Sequence, residues 1–271
     1  ARPPPPPAPS RPPPPAPETS RPPRGPGPDR RAFLRRAGGG LAQLAFLDAA
    51  GVLGRDLFAA ERTRPLIQEV PWGRLERVAE GVWAMVSTPL EDRRTLCNGG
   101  IVAGSDGVIL VEAFGSPEGA TWMAEQARAL TGRWPDQVVM THYHGDHVAG
   151  LPGAFFDGET PTAHATAHTI GRAREQAGAP ERAALAAALD RVTVLPPSEE
   201  TLLDLGGRTL RLVPRSGHSG SEVTLVLDVP AVVFCGDLVW QRFFPSYMDA
   251  RPAVVSASVT ALARVRATTY V

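Results

Sequence analysis

Lysine is absent from this 271-residue sequence, so all 28 basic residues are arginine, and 28 acidic residues balance them. The balance gives no electrostatic reason to expect a polyanionic partner, so nucleic acid is not expected. The exclusive use of arginine goes with an excess of Ala, Gly and Pro and reads as coding bias, not as chemistry. Cysteine is nearly absent too, with only Cys97 and Cys235. That excludes a disulfide framework or a cysteine-rich zinc module as the source of stability, so a hydrophobic core must hold the fold. No fixed-period repeat is present. Histidine occurs six times, which makes the placement of each one informative.

The length suits one domain of about 200 residues plus an appendage. Residues 1–28 are mostly Pro, Arg and Ala, with runs at Pro3–Pro7 and Pro12–Pro15. Such runs favour extended polyproline conformations and bury nothing, so this stretch is expected to be a disordered leader. Residues 29–64 begin Asp29-Arg30-Arg31-Ala32-Phe33-Leu34 and continue into a Gly/Ala-rich, moderately apolar stretch. The paired arginines, the Phe-Leu and the weakly hydrophobic run resemble a twin-arginine export signal, with a candidate cleavage region near Ala59-Ala60. Asp48 interrupts the apolar run, which argues against a stable membrane span. The resemblance implies the export machinery as a partner and a periplasmic or extracellular destination; an amphipathic N-terminal helix is the plainer alternative.

Residues 65–271 read as an α/β domain. Strands are expected at Leu75–Val86, Cys97–Ala103 and Val108–Val111, separated by Gly, Asp and Pro signals that suit an antiparallel start. Ser116-Pro117-Glu118 predicts a helix start: Ser caps free amides, Pro fits the first turn, and Trp122, Met123, Ala127 and Leu130 make an apolar stripe. Gln137–Met140 reads as a buried strand. Helices at Thr166–Gln176 and Pro180–Leu189 follow. Strands at Leu202–Leu205, Thr209–Val213, Val223–Leu227 and Val232–Phe234 complete the pattern.

Directly after that buried strand comes Thr141-His142-Tyr143-His144-Gly145-Asp146-His147, with three of the six histidines. Zinc takes imidazole and carboxylate ligands at about 2.0 to 2.2 Å, and a turn after a strand can aim neighbouring side chains at one point. His142 and His144 can share one metal, while Asp146 and His147 on the following turn can serve a second. No packing rule calls for so many imidazoles together.

His-x-His-x-Asp-His resembles the signature of the metallo-beta-lactamase superfamily, and two further elements follow in the right order. His218, in Ser216-Gly217-His218-Ser219-Gly220-Ser221, matches the third histidine of the first metal site. Asp237, in Phe234-Cys235-Gly236-Asp237, matches the carboxylate that bridges both metals. The resemblance implies a four-layer αββα sandwich from about Leu75 onward. It further implies that His142, His144 and His218 hold one Zn2+ and that Asp146 and His147 contribute to a second, with Asp237 between them. The family's final histidine, in a Pro-Gly-His-Gly loop after a helix and a short strand, is not in the sequence. Thr268-Thr269-Tyr270-Val271 reads as that short strand. With no initiator Met either, the expectation is a longer reading frame that supplies this ligand and binds two zinc ions.

The implied reaction is hydrolysis of a small-molecule ester, thioester, lactone or amide. Zinc can lower the pKa of bound water from 15.7 to about 7 and polarise the oxygen under attack. Asp146 is the candidate catalytic residue, orienting that hydroxide. A class B-like beta-lactamase and a mononuclear iron sulfur dioxygenase are the alternatives. His144 suits zinc where a diiron branch carries a carboxylate, and Asp237 stands where one beta-lactamase subclass has Cys. Cys235 is expected to be a buried thiol, with a place near the metal as the alternative. His164 and His168 read as structural, and Glu112 as a loop or supporting carboxylate. The aromatics at Trp83–Leu90 and Trp240–Met248, including Phe243, Phe244 and Tyr247, suit either core packing or substrate contact.

Overall fold

The computed structural model describes residues 64–88, 94–155, 158, 160–178, 182–241 and 245–271. The leader, all but the last residue of the signal-like segment, the end of the Trp83–Leu90 stretch, and Phe243 and Phe244 lie outside the described residues.

The chain opens as an antiparallel meander: β1 (Leu66–Val70), β2 (Gly73–Ala79), β3 (Val82–Ser87), β4 (Gly99–Ala103) and β5 (Val108–Val111). From β5 the sheet turns parallel through β6 (Gln137–Val139), β7 (Thr162–Thr166) and β8 (Val192–Leu195). Parallel neighbours need crossovers, and helices supply them. The first crossover carries α1 (Pro117–Thr131), the second α2 (Gly145–Val148) and α3 (Leu151–Ala154), the third α4 (Ala167–Gln176) and α5 (Ala183–Leu189). All eight strands lie in chain order. The second sheet holds antiparallel β9 (Thr201–Asp204), β10 (Thr209–Arg215), β11 (Glu222–Leu227) and β12 (Val232–Phe234). After α6 (Pro252–Ala263) the chain returns as β13 (Thr269–Tyr270), parallel to β12.

Residue alternation sorts the layers. On β5, Val108 and Leu110 pack with Met123 and Ala127 of α1, while Ile109 and Val111 point the other way, into Leu210, Leu212, Leu225 and Phe234 of the second sheet. The far face of that sheet places Val213, Val226 and Val233 against Leu262 of α6. Helix, sheet, sheet, helix is the αββα sandwich the sequence implies. A fully buried central strand reads as a continuous apolar run because both faces are covered.

α1 begins as predicted. Ser116 accepts a hydrogen bond from the Gly119 amide at 3.1 Å, with Pro117 in the first turn. The apolar stripe is realised by Ala120, Met123, Ala124 and Ala127, while Trp122 and Leu130 pack partly buried at its margin. The Leu75–Val86 stretch is two strands broken at Glu80-Gly81, with Gly81 in a left-handed turn at φ 66°. β1 and β8 escaped prediction because they are sheet edges: Leu66 and Val194 lie more than half exposed and leave little alternation to read. Among the described residues no helix is long and apolar enough to cross a membrane.

Candidate metal centre

The strand β6 ends at Val139 between β5 and β7, and the chain that leaves it carries the histidine motif across the mouth of the sandwich. The Val223 amide donates to the Thr141 carbonyl at 2.9 Å, tying the motif to the start of β11. His144 stands at the N-cap of α2, so Asp146 and His147 fall on its single turn. The loop after β10 delivers His218, and a 3₁₀ turn at Gly236–Leu238 delivers Asp237.

These distant segments converge. The ligand-type atoms of His142, His144, His218 and Asp237 lie within 4.8 Å of one another. His144 Nδ1 is 3.0 Å from His142 Nε2 and also 3.0 Å from His218 Nε2. His218 Nε2 is 3.3 Å from Asp237 Oδ2. One imidazole nitrogen cannot share a proton with two others at once, so these contacts are not a satisfied hydrogen-bond network. Thr141 sharpens the point. Its hydroxyl donates to Glu112 Oε1 at 2.6 Å and therefore presents a lone pair to His142 Nδ1 at 3.0 Å, which puts the ring proton on Nδ1 and leaves Nε2 with a lone pair facing the cluster. A cation at the point of convergence fits this donor set.

His147 forms the second half. Its Nε2 is 3.2 Å from Asp237 Oδ1 and 3.5 Å from Asp146 Oδ2, and its Nδ1 is 3.1 Å from Glu112 Oε1. The distances are short but misdirected, so neither buried ring nitrogen makes a well-formed hydrogen bond. Such orphaned atoms cost free energy unless something else binds them. The two oxygens of Asp237 divide between His147 and His218, which makes this carboxylate the junction of the halves. Asp146 stays outside the first group of four and is the more exposed carboxylate.

Charge follows this geometry. Burial first, then neighbouring His147, His144 and His218, holds His142 well below the usual imidazole range. Burial would also lower His147, but its value lies well above the ordinary imidazole range, raised by the Glu112 and Asp237 carboxylates beside it. Burial opposes ionisation of Asp237, yet His147, His218 and His144 hold its carboxyl below the ordinary value. Cys97 is packed beside His147, and burial pushes its thiol up to about 12, so it is a neutral neighbour.

Cys235 is buried among Val213, Val226, Val233, Leu238 and Leu262 on the α6 side, because β12 stops at Phe234 and the 3₁₀ turn breaks the alternation that would have aligned it with Asp237. His164 bonds Gln137 at 3.0 Å within the sheet and has a structural place. Trp83 joins the core. Trp240 stays near the site, its ring 6.2 Å from that of His218 and its Nε1 donating to the Asp237 carbonyl at 2.7 Å. Tyr247 and Met248 are exposed. Two residues were not foreseen at the site: Cys97, and Asp249, whose Oδ2 lies 3.0 Å from His144 Nε2 across 105 positions of sequence. No local pattern marks Asp249.

The sequence profile of the metallo-beta-lactamase superfamily matches residues 92–268. Among curated proteins, the hydroxyacylglutathione hydrolase of Acidiphilium cryptum is 31% identical over 151 residues, 56% of this chain and 54% of that protein. The protein of the same name from Cupriavidus taiwanensis is 27% identical over 143 residues, 51% of this chain and 49% of its own length. The chain thus spans about half the length of the curated relatives it matches. Among solved structures, a metallo-beta-lactamase from Pontibacter korlensis superposes with a TM-score of 0.60 at 18% identity, covering 73% of this chain and 88% of that one. The mono-zinc form of FIM-1 from Pseudomonas aeruginosa gives 0.56 at 20%, covering 72% and 83%. At these identities the solved structures speak for the fold alone. With more than half of its residues matched by the family profile and the αββα sandwich in place, the chain belongs to the metallo-beta-lactamase superfamily.

Proposed function

We propose that this chain is a binuclear zinc hydrolase acting on a small ester, thioester, lactone or amide. The observation that carries this reading is the convergence of His142, His144, His218 and Asp237, with the under-bonded His147 beside them. Imidazole and carboxylate donors suit zinc. Zinc, when bound, supplies Lewis acidity and an activated water. The chain's own residues do the rest. Asp237 spans the two halves through separate oxygens. Asp146 opens toward solvent with Oδ2 3.5 Å from His147 Nε2, where a carboxylate can orient the attacking water and accept its proton. Trp240 stands on the His218 side of the mouth. The curated relatives named as hydroxyacylglutathione hydrolases favour a thioester within this class, since their substrate name describes an acyl group on a thiol.

His142 and His144 replaced together by Ala should lose zinc and thioester hydrolysis, measured by elemental analysis and thiol release. Full zinc content in that variant overturns the assignment. So does iron in the wild type with oxygen consumption on persulfides. We also propose export through the twin-arginine route, supported by Arg30, Arg31, Phe33 and Leu34. Residues 1–65 fused to a reporter should be exported, and continued export after both arginines are changed to Lys refutes the idea.

A further inference from the structure

We propose that Asp249 is a positioning residue that fixes which nitrogen of His144 faces the metal, and that residues 246–251 form a support for the histidine cluster from the second-sheet side. The inference rests on the metal-binding reading of the site. It concerns a residue outside the ligand set.

His144 Nε2 is 3.0 Å from Asp249 Oδ2, and the Tyr143 hydroxyl donates to that same oxygen. A carboxylate only accepts, so the His144 proton sits on Nε2, and Nδ1 keeps its lone pair toward His142 and His218. The same stretch of chain reaches the other half of the cluster. The Ser246 carbonyl lies beside the His218 ring, whose Nε2 is the nitrogen turned toward Asp237. The Arg251 amide donates to the Gly217 carbonyl at 2.7 Å, holding the loop that carries His218. Residues 246–251 therefore contact the His144 imidazole and the backbone beside His218.

Tyr143 anchors the arrangement. Its ring is buried, stacks edge-on with His144 at 4.7 Å, and lies under the Arg172 guanidinium at 5.2 Å. Asp249 is thereby held by Tyr143 on one side while it orients His144 on the other.

The competing state explains why such a residue is needed. Without an acceptor at Nε2, the His144 proton can move to Nδ1 and be donated to His142 Nε2 or His218 Nε2, both 3.0 Å away. The cluster would then satisfy itself and turn a proton toward the space a metal must occupy. A carboxylate behind a liganding histidine prevents this and makes the liganding nitrogen more basic.

The test uses the full chain with two readouts. In zinc-free protein, 15N NMR of the histidine rings should show His144 as the Nε2–H tautomer in wild type, and Asp249→Ala should shift it toward Nδ1–H. Zinc affinity, by competition with a chromogenic chelator, should fall roughly 10- to 100-fold in Asp249→Ala. Asp249→Asn keeps an acceptor oxygen and should recover most of the affinity, with thermal unfolding of both zinc-free variants close to wild type. An unchanged tautomer with unchanged affinity in Asp249→Ala overturns the proposal. Equal losses in the Ala and Asn variants, accompanied by a lowered melting temperature, also overturn it, because they indicate a structural role. Wild type with the Nε2–H tautomer but no zinc uptake overturns the metal reading itself, and the inference with it.

Discussion

Glu112 and His147 face each other in the interior, each 1% exposed, with Oε1 3.1 Å from Nδ1. The strand β5 ends one residue earlier, and Glu112 takes a left-handed conformation at φ 78°. There its carboxylate also accepts from the Thr141 amide at 3.1 Å and from the Thr141 hydroxyl. One side chain thus supports both halves of the site: through Thr141 it sets the His142 tautomer, and directly it faces His147. Glu112→Gln keeps the shape but turns one acceptor into a donor facing another donor. Zinc binding at the His147 half should weaken about 10- to 100-fold, while the half around His142, His144 and His218 retains metal. Zinc content and two-step competition titrations measure this; an unaltered titration would leave Glu112 without a role.

Zinc should stabilise the fold. Four donors from three separate segments converge, and the unfolded chain cannot present them together. At 100-fold excess over Kd, one bound ion adds about 2.7 kcal/mol, and a domain of this size shifts by about 2–4 °C per kcal/mol. Chelation should lower the melting temperature accordingly and zinc should restore it. The variant with His142 and His144 both changed to Ala should respond to neither treatment.

The histidine motif was legible because ligand chemistry concentrates in seven consecutive residues, and His218 and Asp237 were legible through the family resemblance. An α/β domain was readable from buried runs such as Val108–Val111 and from the Ser116-Pro117 helix start, and its four-layer arrangement through the family resemblance. Asp249 was invisible for a physical reason. It works through one oxygen delivered by an irregular segment, and nothing periodic or local distinguishes it from any other surface aspartate. Cys235 is the buried thiol expected of it, and the alternative place near Asp237 falls because the period-2 argument holds only while the strand lasts and β12 ends at Phe234.

The helix that carries Asp146 and His147 continues into α3, which packs on α1 at a glycine contact. A Cβ at Gly153 would overlap the Pro117 carbonyl oxygen, and the Thr121 hydroxyl donates to the Gly153 carbonyl at 2.9 Å. The opposing Pro117 atoms are backbone and cannot rotate away. Gly153→Ala should therefore cost about 1–3 kcal/mol, seen as a lower midpoint in urea with little change in slope. An unchanged midpoint would show that α3 moves freely on α1.

Glu222 ties stability to pH from beneath the His218 loop. Its Oε1 accepts from the Ser219 amide, while Oε2 is buried without a hydrogen-bond partner. Burial is the leading cause that raises its carboxyl above the ordinary value of 4.5. Between the unfolded and folded values the folded state keeps a proton that the unfolded chain has released. By linkage, stability then falls as pH rises through that window, by about 1.4 kcal/mol per unit while the window lasts. The contribution is fully present below 4.5 and lost once the folded value is passed. Glu222→Gln cannot ionise and still offers an oxygen to Ser219. Relative to wild type, its unfolding free energy should therefore increase from pH 4.5 to pH 7, as followed by urea titrations at both values. A difference that stays constant across this range would mean that Glu222 ionises as readily in the folded protein as in the unfolded chain.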